Sequence, residues 1–169
     1  MKSNKTLKLT NMAMIFRLAM VLSFVESMIM PLFALPPGVK LGLSNIAVMY
    51  ALVYMGFVPA FQLALLKGLF AFLTRGAIAG MLSGLGGVFS ITIMFILQKI
   101  LGDKVNYYTL SVFGALFHNV GQMTGAAFIF GTAFTLYYLP VLAVSAVIMG
   151  VVTGAVLTAV LPALARFKM

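Results

Sequence analysis

The chain contains no cysteine and no tryptophan, and it has only two acidic residues among its 169 positions. Without cysteine, disulfide bonds and thiolate metal sites are excluded. Charged residues make up 8% of the chain, whereas a soluble domain carries about 25%. Because so few charges cannot cover the surface of a domain in water, the composition predicts an integral membrane protein.

Hydrophobic residues make up 63% of the chain, and the mean hydropathy is +1.17. The apolar runs continue to the last residues, so a cleaved signal peptide does not explain them. A membrane-spanning helix needs about 20 apolar residues. With short loops, 169 residues therefore have room for about six spans and for no separate soluble catalytic domain.

Apolar runs interrupted by glycine, proline and charge predict an all-α membrane protein with six transmembrane helices. A basic N-terminal tail is predicted at residues 1–10 and the transmembrane domain at residues 11–165. The predicted spans are residues 11–30, 44–55, 60–74, 88–101, 109–130 and 136–161. A glycine-rich link is predicted at residues 75–87 and a polar break at residues 102–108.

The basic residues indicate the orientation of the spans, because lysine and arginine collect in cytoplasmic segments. With the N-terminus inside, the outer side receives Lys40 and Arg75. The cytoplasmic side receives Lys2, Lys5, Lys8, Lys99, Lys104, Arg166 and Lys168. This bias predicts both termini in the cytoplasm of a prokaryotic cell. The net charge of +9 is therefore interpreted as topology and not as nucleic-acid binding, since no basic face with interleaved aromatics lies outside the spans.

Polar residues within or beside the predicted spans are candidates for a binding site, because a charge inside the bilayer is costly unless it is paired or hydrated. In the predicted topology they share the outer half of the membrane, which favours a cavity that opens outward. Its cations outnumber its one acid, so the cavity favours an anion with an apolar body. The candidates are Glu26, Lys40, Asn45, Lys67, Arg75, His118, Asn119 and Gln122.

Structural roles remain open for several of these residues. Glu26 is also suited to neutralising Lys67 or Arg75 in a structural ion pair. Lys40 is also consistent with an ordinary charged loop residue, and Asn45 is also consistent with the N-cap of the second helix.

The fifth predicted span has the same ambiguity. His118 and Gln122 are four residues apart and share one helical face, where they could also form hydrogen bonds between helices. Glycines at every fourth position, such as Gly76, Gly80 and Gly84, favour close helix packing over docking of a partner.

No catalytic motif is present, so the chain is not expected to be an enzyme. It has no DDxxD pair for Mg²⁺-assisted prenyl transfer, and its two acids are too few for such a metal cluster. It also lacks GxSxG and HExxH. The glycines of SGLGG do not follow a strand, which excludes a P-loop, so energy for pumping would come from a partner or a gradient. No cofactor is expected.

Four segments carry a resemblance to a known family: LPPGVKLGLSNIAVMYAL, SGLGGVFSITIM, GALFHNVGQM and YYLPVLAVSAVIMGVVTG. Over residues 13–161 the chain resembles the Gx transporter family, which is often labelled heptaprenyl diphosphate synthase component I. That family is similar in size and topology to the substrate-binding S components of energy-coupling factor (ECF) transporters. The resemblance implies a six-helix bundle of the S-component type.

The resemblance also implies a gate between the first two spans. Pro36, Pro37 and Gly38 would form it, Lys40 would meet the anionic head of a ligand, and Asn45 would stand behind. An S component captures its substrate at the outer face and works with a membrane-embedded T subunit and two cytoplasmic ATPases. The synthase label suggests an isoprenoid phosphate or diphosphate, or a quinone precursor.

Three functions are therefore considered. The first is a substrate-capturing subunit of an ECF transporter. The second is a membrane subunit of a prenyl diphosphate synthase complex, in which another chain carries out the chemistry. The third is an assembly factor of a membrane redox complex.

Overall fold

A computed structural model describes residues 2–29, 32 and 41–165, and within these residues the regular structure is helical, with no strand. Its helices are α1 (Lys2–Ile29), α2 (Leu43–Met55), α3 (Phe57–Arg75), α4 (Ala77–Leu101), α5 (Tyr107–Phe130) and α6 (Thr132–Ala165). A single 3₁₀ turn, Gly102–Lys104, joins α4 to α5. The predicted gate residues Pro36, Pro37 and Gly38, together with Lys40, lie outside the described residues.

Four segments are long and apolar enough to cross a membrane: Leu9–Ile29 of α1, all of α3, all of α4, and Tyr137–Pro162 of α6. The remaining two helices do not meet that standard, since α2 has 13 residues and the 24-residue α5 carries a more polar mixture. The chain is therefore an all-helical, multi-pass membrane-associated protein. The six-span count and the inward orientation of both termini stay predictions.

The predicted glycine-rich link at residues 75–87 is wrong, because only Gly76 interrupts the helical backbone there. Gly76 has a φ of 93°, a left-handed value that joins α3 directly to α4. The other glycines of this segment lie inside α4. A Cβ on Gly80 would lie 2.5 Å from the Cβ of Phe72, and one on Gly68 would lie 2.9 Å from the Cα of Gly84. The predicted role of this spacing in helix packing agrees with the contact at Gly80, whereas Gly76 is a turn residue and a Cβ on Gly84 would meet nothing within 4 Å.

Two other elements extend beyond their predicted bounds. Helix α1 begins at Lys2, so most of the predicted basic tail is the first part of a helix whose apolar stretch starts at Leu9. Helix α6 has 34 residues and continues through Pro140 and Pro162.

The core is organised around α2, which is buried on every side. Ser44 and all residues from Ile46 to Leu52 are buried. Helix α2 packs against α1, α3, α4 and α6, while α3, α4, α5 and α6 pack against one another in chain order. A helix that is apolar on all faces is stable only inside a bundle or a membrane. The ends of α2 therefore lie among the other helices, and this arrangement positions the polar side chains described next.

Candidate functional site

The centre of the candidate site is a buried cation. Lys67, in the middle of α3, is only 7% exposed, and its Nζ donates a hydrogen bond of 2.5 Å to Oδ1 of Asn45 on α2. Lysine is almost never fully buried without partners, because its ammonium group loses its hydration. The pairing of these two predicted residues is a specific contact between the start of α2 and the middle of α3.

Glu26, near the end of α1, is the acid of this region and is only 6% exposed. Its Oε1 accepts a hydrogen bond of 2.8 Å from the backbone N–H of Gly42, the residue that precedes α2. Gly42 has a φ of 76° and no side-chain cap of its own. The carboxylate therefore caps α2 from a neighbouring helix, at the end where the helix dipole favours negative charge.

Thr153 of α6 completes this region, and the sequence did not single it out. It is buried, and its Oγ1 donates a hydrogen bond of 2.9 Å to the backbone carbonyl of Leu41. Oγ1 also lies 3.2 Å from the position of a Cβ on Gly42. A threonine in an apolar helix is an ordinary helix-packing residue. Its only sequence signal is its place within YYLPVLAVSAVIMGVVTG, one of the segments that carry the family resemblance.

His118 and Gln122 of α5 are both buried, as expected for residues that share one inward face. The ring of His118 packs closely on Gly86 of α4: a Cβ at Gly86 would lie 2.9 Å from Cε1 and Nε2. Gly68, which follows Lys67 in α3, packs against the preceding turn of α4. Lys67 and His118 therefore belong to two helices that flank the same short stretch of α4, and their common depth in the membrane stays a prediction.

Two predicted site residues lie elsewhere. Asn119 Nδ2 donates a hydrogen bond of 2.9 Å to the carbonyl of Leu142, which joins α5 to α6. Arg75 is the last residue of α3 and is exposed. It lies eight residues beyond Lys67, about 12 Å along the helix axis. The structure thus links Glu26 to Asn45 through Gly42, and Asn45 in turn to Lys67, whereas Arg75 lies about 12 Å along α3 from Lys67.

The arrangement is chemically suited to holding an anion beside an apolar wall. Among cations whose side chains the structure describes, Lys67 is the buried one. The exposed ones are Arg17, Arg75, Lys99 and Lys104. The neighbours of Lys67 on its own helix, Leu63, Ala64 and Ala71, are buried and apolar. In the same described part of the chain, no three His, Cys, Asp or Glu side chains are grouped to hold a metal ion.

Residues 15–160 match the model of a family described as heptaprenyl diphosphate synthase component I. No curated protein and no solved structure matches the chain.

Proposed function

The chain belongs to the heptaprenyl diphosphate synthase component I family, and we propose that it is a membrane-embedded component that binds an isoprenoid diphosphate for a partner chain. The family name describes one component of a synthase, which implies at least one other component. In this proposal the partner carries out prenyl transfer, and the present chain holds the amphipathic substrate or product within the membrane.

The observation that carries this proposal is the buried Lys67–Asn45 pair. An isoprenoid diphosphate has a strongly anionic head and a long apolar tail. A lysine ammonium is a compact charge that binds phosphate, and inside a low-dielectric bundle its attraction for an anion is greater than in water. The apolar surroundings of α2 and α3 suit the tail. Asn45 would orient the ammonium towards the ligand.

The acids of the chain support a non-catalytic role. Prenyl transfer with Mg²⁺ needs several carboxylates close together, because Mg²⁺ binds hard oxygen ligands. The chain has Glu26 near the end of α1 and Asp103 in the turn after α4. Glu26 is already bonded to the Gly42 amide. The reaction is therefore assigned to the partner, with Lys67 as the principal binding residue here.

The direct test is binding of geranylgeranyl diphosphate to the purified chain in nanodiscs. Lys67→Met removes the charge and keeps the length of the side chain, and we expect a dissociation constant at least about tenfold higher. Lys67→Arg keeps the charge and should retain part of the affinity. Lys99→Met is the matched control, since Lys99 is exposed and lies 5.2 Å from the ring centre of Phe95. Equal affinity of Lys67→Met and Lys99→Met would contradict the proposal.

A second measurement identifies the natural ligand. Mass spectrometry of the chain purified in mild detergent should find an isoprenoid phosphate that co-purifies with the unmodified chain and is depleted in Lys67→Met. If a prenyl synthase partner is then added, product formation should fall with Lys67→Met and be unchanged with Lys99→Met.

A second candidate function is substrate capture for an ECF-type importer with a T subunit and two ATPases. The observation in its favour is α2 itself, a 13-residue helix that starts at a left-handed glycine beside buried polar side chains. Short, glycine-interrupted helices mark the substrate sites of many transporters. The two functions give different results in proteoliposomes. A transporter accumulates labelled substrate when ATP and its partner subunits are supplied, whereas a synthase component changes product formation without net uptake.

A further inference from the structure

The two residues before α2 are held from both sides by helices that are distant in sequence. The carbonyl of Leu41 accepts a hydrogen bond of 2.9 Å from the hydroxyl of Thr153 on α6. The amide of Gly42 donates to the carboxylate of Glu26 on α1, at 2.8 Å. We call these two hydrogen bonds the Leu41–Gly42 clamp. Both side chains that form it are more than nine-tenths buried.

The clamp is connected to the buried cation through one turn of backbone. The carbonyl of Gly42 accepts a hydrogen bond of 2.8 Å from the N–H of Asn45, so the position of Gly42 fixes the position of Asn45 in the first turn of α2. The Nδ2 of Asn45 lies 3.6 Å from the position of a Cβ on Gly42. The Oδ1 atom of the same side-chain amide accepts a hydrogen bond from the Lys67 ammonium group. A shift of Gly42 would therefore move the group that orients Lys67.

We propose that Glu26 and Thr153 are positioning residues of the anion site: by fixing Leu41 and Gly42 they place Asn45 and Lys67 for the ligand. This inference rests on the proposed function for the identity of the ligand. In it, Glu26 acts as the hydrogen-bond acceptor of the Gly42 backbone amide. Thr153 acts through a bond that spans 112 residues of sequence. Neither side chain has to touch the ligand for its loss to weaken binding.

Conservative variants separate this role from charge and from bulk. Glu26→Gln keeps an oxygen that can accept the Gly42 amide and removes the charge, whereas Glu26→Leu removes the acceptor. Thr153→Ser keeps the hydroxyl, whereas Thr153→Val keeps the shape and removes it. The matched control is Thr158→Val, because Thr158 donates to Gly154 within its own helix at 2.8 Å.

The first measurement is affinity for geranylgeranyl diphosphate in nanodiscs. We expect Glu26→Leu and Thr153→Val each to weaken binding by about threefold to tenfold, the loss that corresponds to one net hydrogen bond. Glu26→Gln, Thr153→Ser and Thr158→Val should bind within about twofold of the unmodified chain. Unchanged affinity in both Glu26→Leu and Thr153→Val would overturn the positioning role, as would an equal loss in Glu26→Gln and Glu26→Leu.

The second measurement needs no ligand and keeps the clamp separate from the proposed function. Hydrogen exchange of the Gly42 amide, followed with ¹⁵N-glycine, reports whether that amide is held. Exchange should accelerate at least about threefold in Glu26→Leu and Thr153→Val and stay slow in the other three variants. Unchanged exchange in Glu26→Leu would overturn the clamp. Failure of the unmodified chain to bind the diphosphate, with exchange as expected, would overturn the proposed function and leave the clamp supported.

Discussion

Replacement of Gly121 by alanine tests how tightly α4 and α5 are packed. A Cβ on Gly121 would lie 2.6 Å from the carbonyl oxygen of Leu85 and 2.9 Å from the Cα of Gly86. These neighbours are backbone atoms, so no rotamer change can relieve the contact. Ordinary contact begins at 3.4 Å, which means that the two helices would have to separate by 3.4 − 2.6 = 0.8 Å.

The magnitude follows from two opposing effects. Forcing an extra methyl group into a packed interior costs about 1–3 kcal/mol in free energy of unfolding. Alanine in place of glycine inside a helix returns about 1 kcal/mol. Gly84→Ala provides the control, because Gly84 also lies inside a helix and a Cβ there would meet nothing within 4 Å. The difference between the two variants therefore isolates the packing cost, about 1–3 kcal/mol.

The assay is thermal unfolding of both variants in one detergent, followed by circular dichroism and by the monodisperse fraction after heating. We expect Gly84→Ala to unfold at or above the temperature of the unmodified chain and Gly121→Ala to unfold below it. Equal unfolding temperatures for the two variants would refute the close approach of α4 and α5, and with it the packing of His118 on Gly86.

Three further predictions concern other parts of the bundle. Asn106→Ala should lower the free energy of unfolding by about 1 kcal/mol, measured by chemical denaturation, because its Oδ1 caps α5 by accepting the Thr109 amide at 2.7 Å; no change would argue against the cap. Asn119→Leu should lower it by about 0.5–1.5 kcal/mol, because it removes the hydrogen bond between α5 and the Leu142 carbonyl of α6, while that carbonyl keeps the Ser145 hydroxyl as a donor; no change would argue against this interhelical bond. In the cysteine-free chain, a thiol reagent that cannot cross membranes should label Arg75→Cys from outside intact cells and Lys99→Cys only after lysis, and the reverse result would invert the predicted topology.

The general class of the fold could be predicted from composition alone. Scarce charge and long apolar runs leave a chain no stable state in water, and helices are the simplest way to satisfy backbone hydrogen bonds in lipid. Helix boundaries were harder to predict at residues 75–87, because a glycine in a sequence is equally compatible with a loop and with a close contact between two helices. Only the facing helix distinguishes the two, since a Cβ on Gly80 would meet Phe72.

Part of the candidate site could be predicted, because ionisable residues within apolar helices are rare and energetically costly. Glu26 and Lys67 are buried ionisable side chains, and the bilayer makes such residues conspicuous in a sequence. Their partners were harder to predict, because Gly42 contributes only its backbone amide and Thr153 is a common residue in apolar helices. The predicted depth of Arg75 was not enough to place it in the site, since its side chain at the helix end is exposed.

The shortness of α2 has a consequence for the rest of the bundle. Thirteen residues rise about 20 Å, whereas the hydrocarbon core is about 30 Å thick. A helix this short cannot cross that thickness by itself, and the two residues before it obtain polar partners from neighbouring helices: Glu26 accepts the Gly42 amide and Thr153 donates to the Leu41 carbonyl. Lengthening α2 by two turns at this end would displace Leu41 and Gly42 and break both contacts, so the shortness of the helix is what allows α1 and α6 to meet at its start.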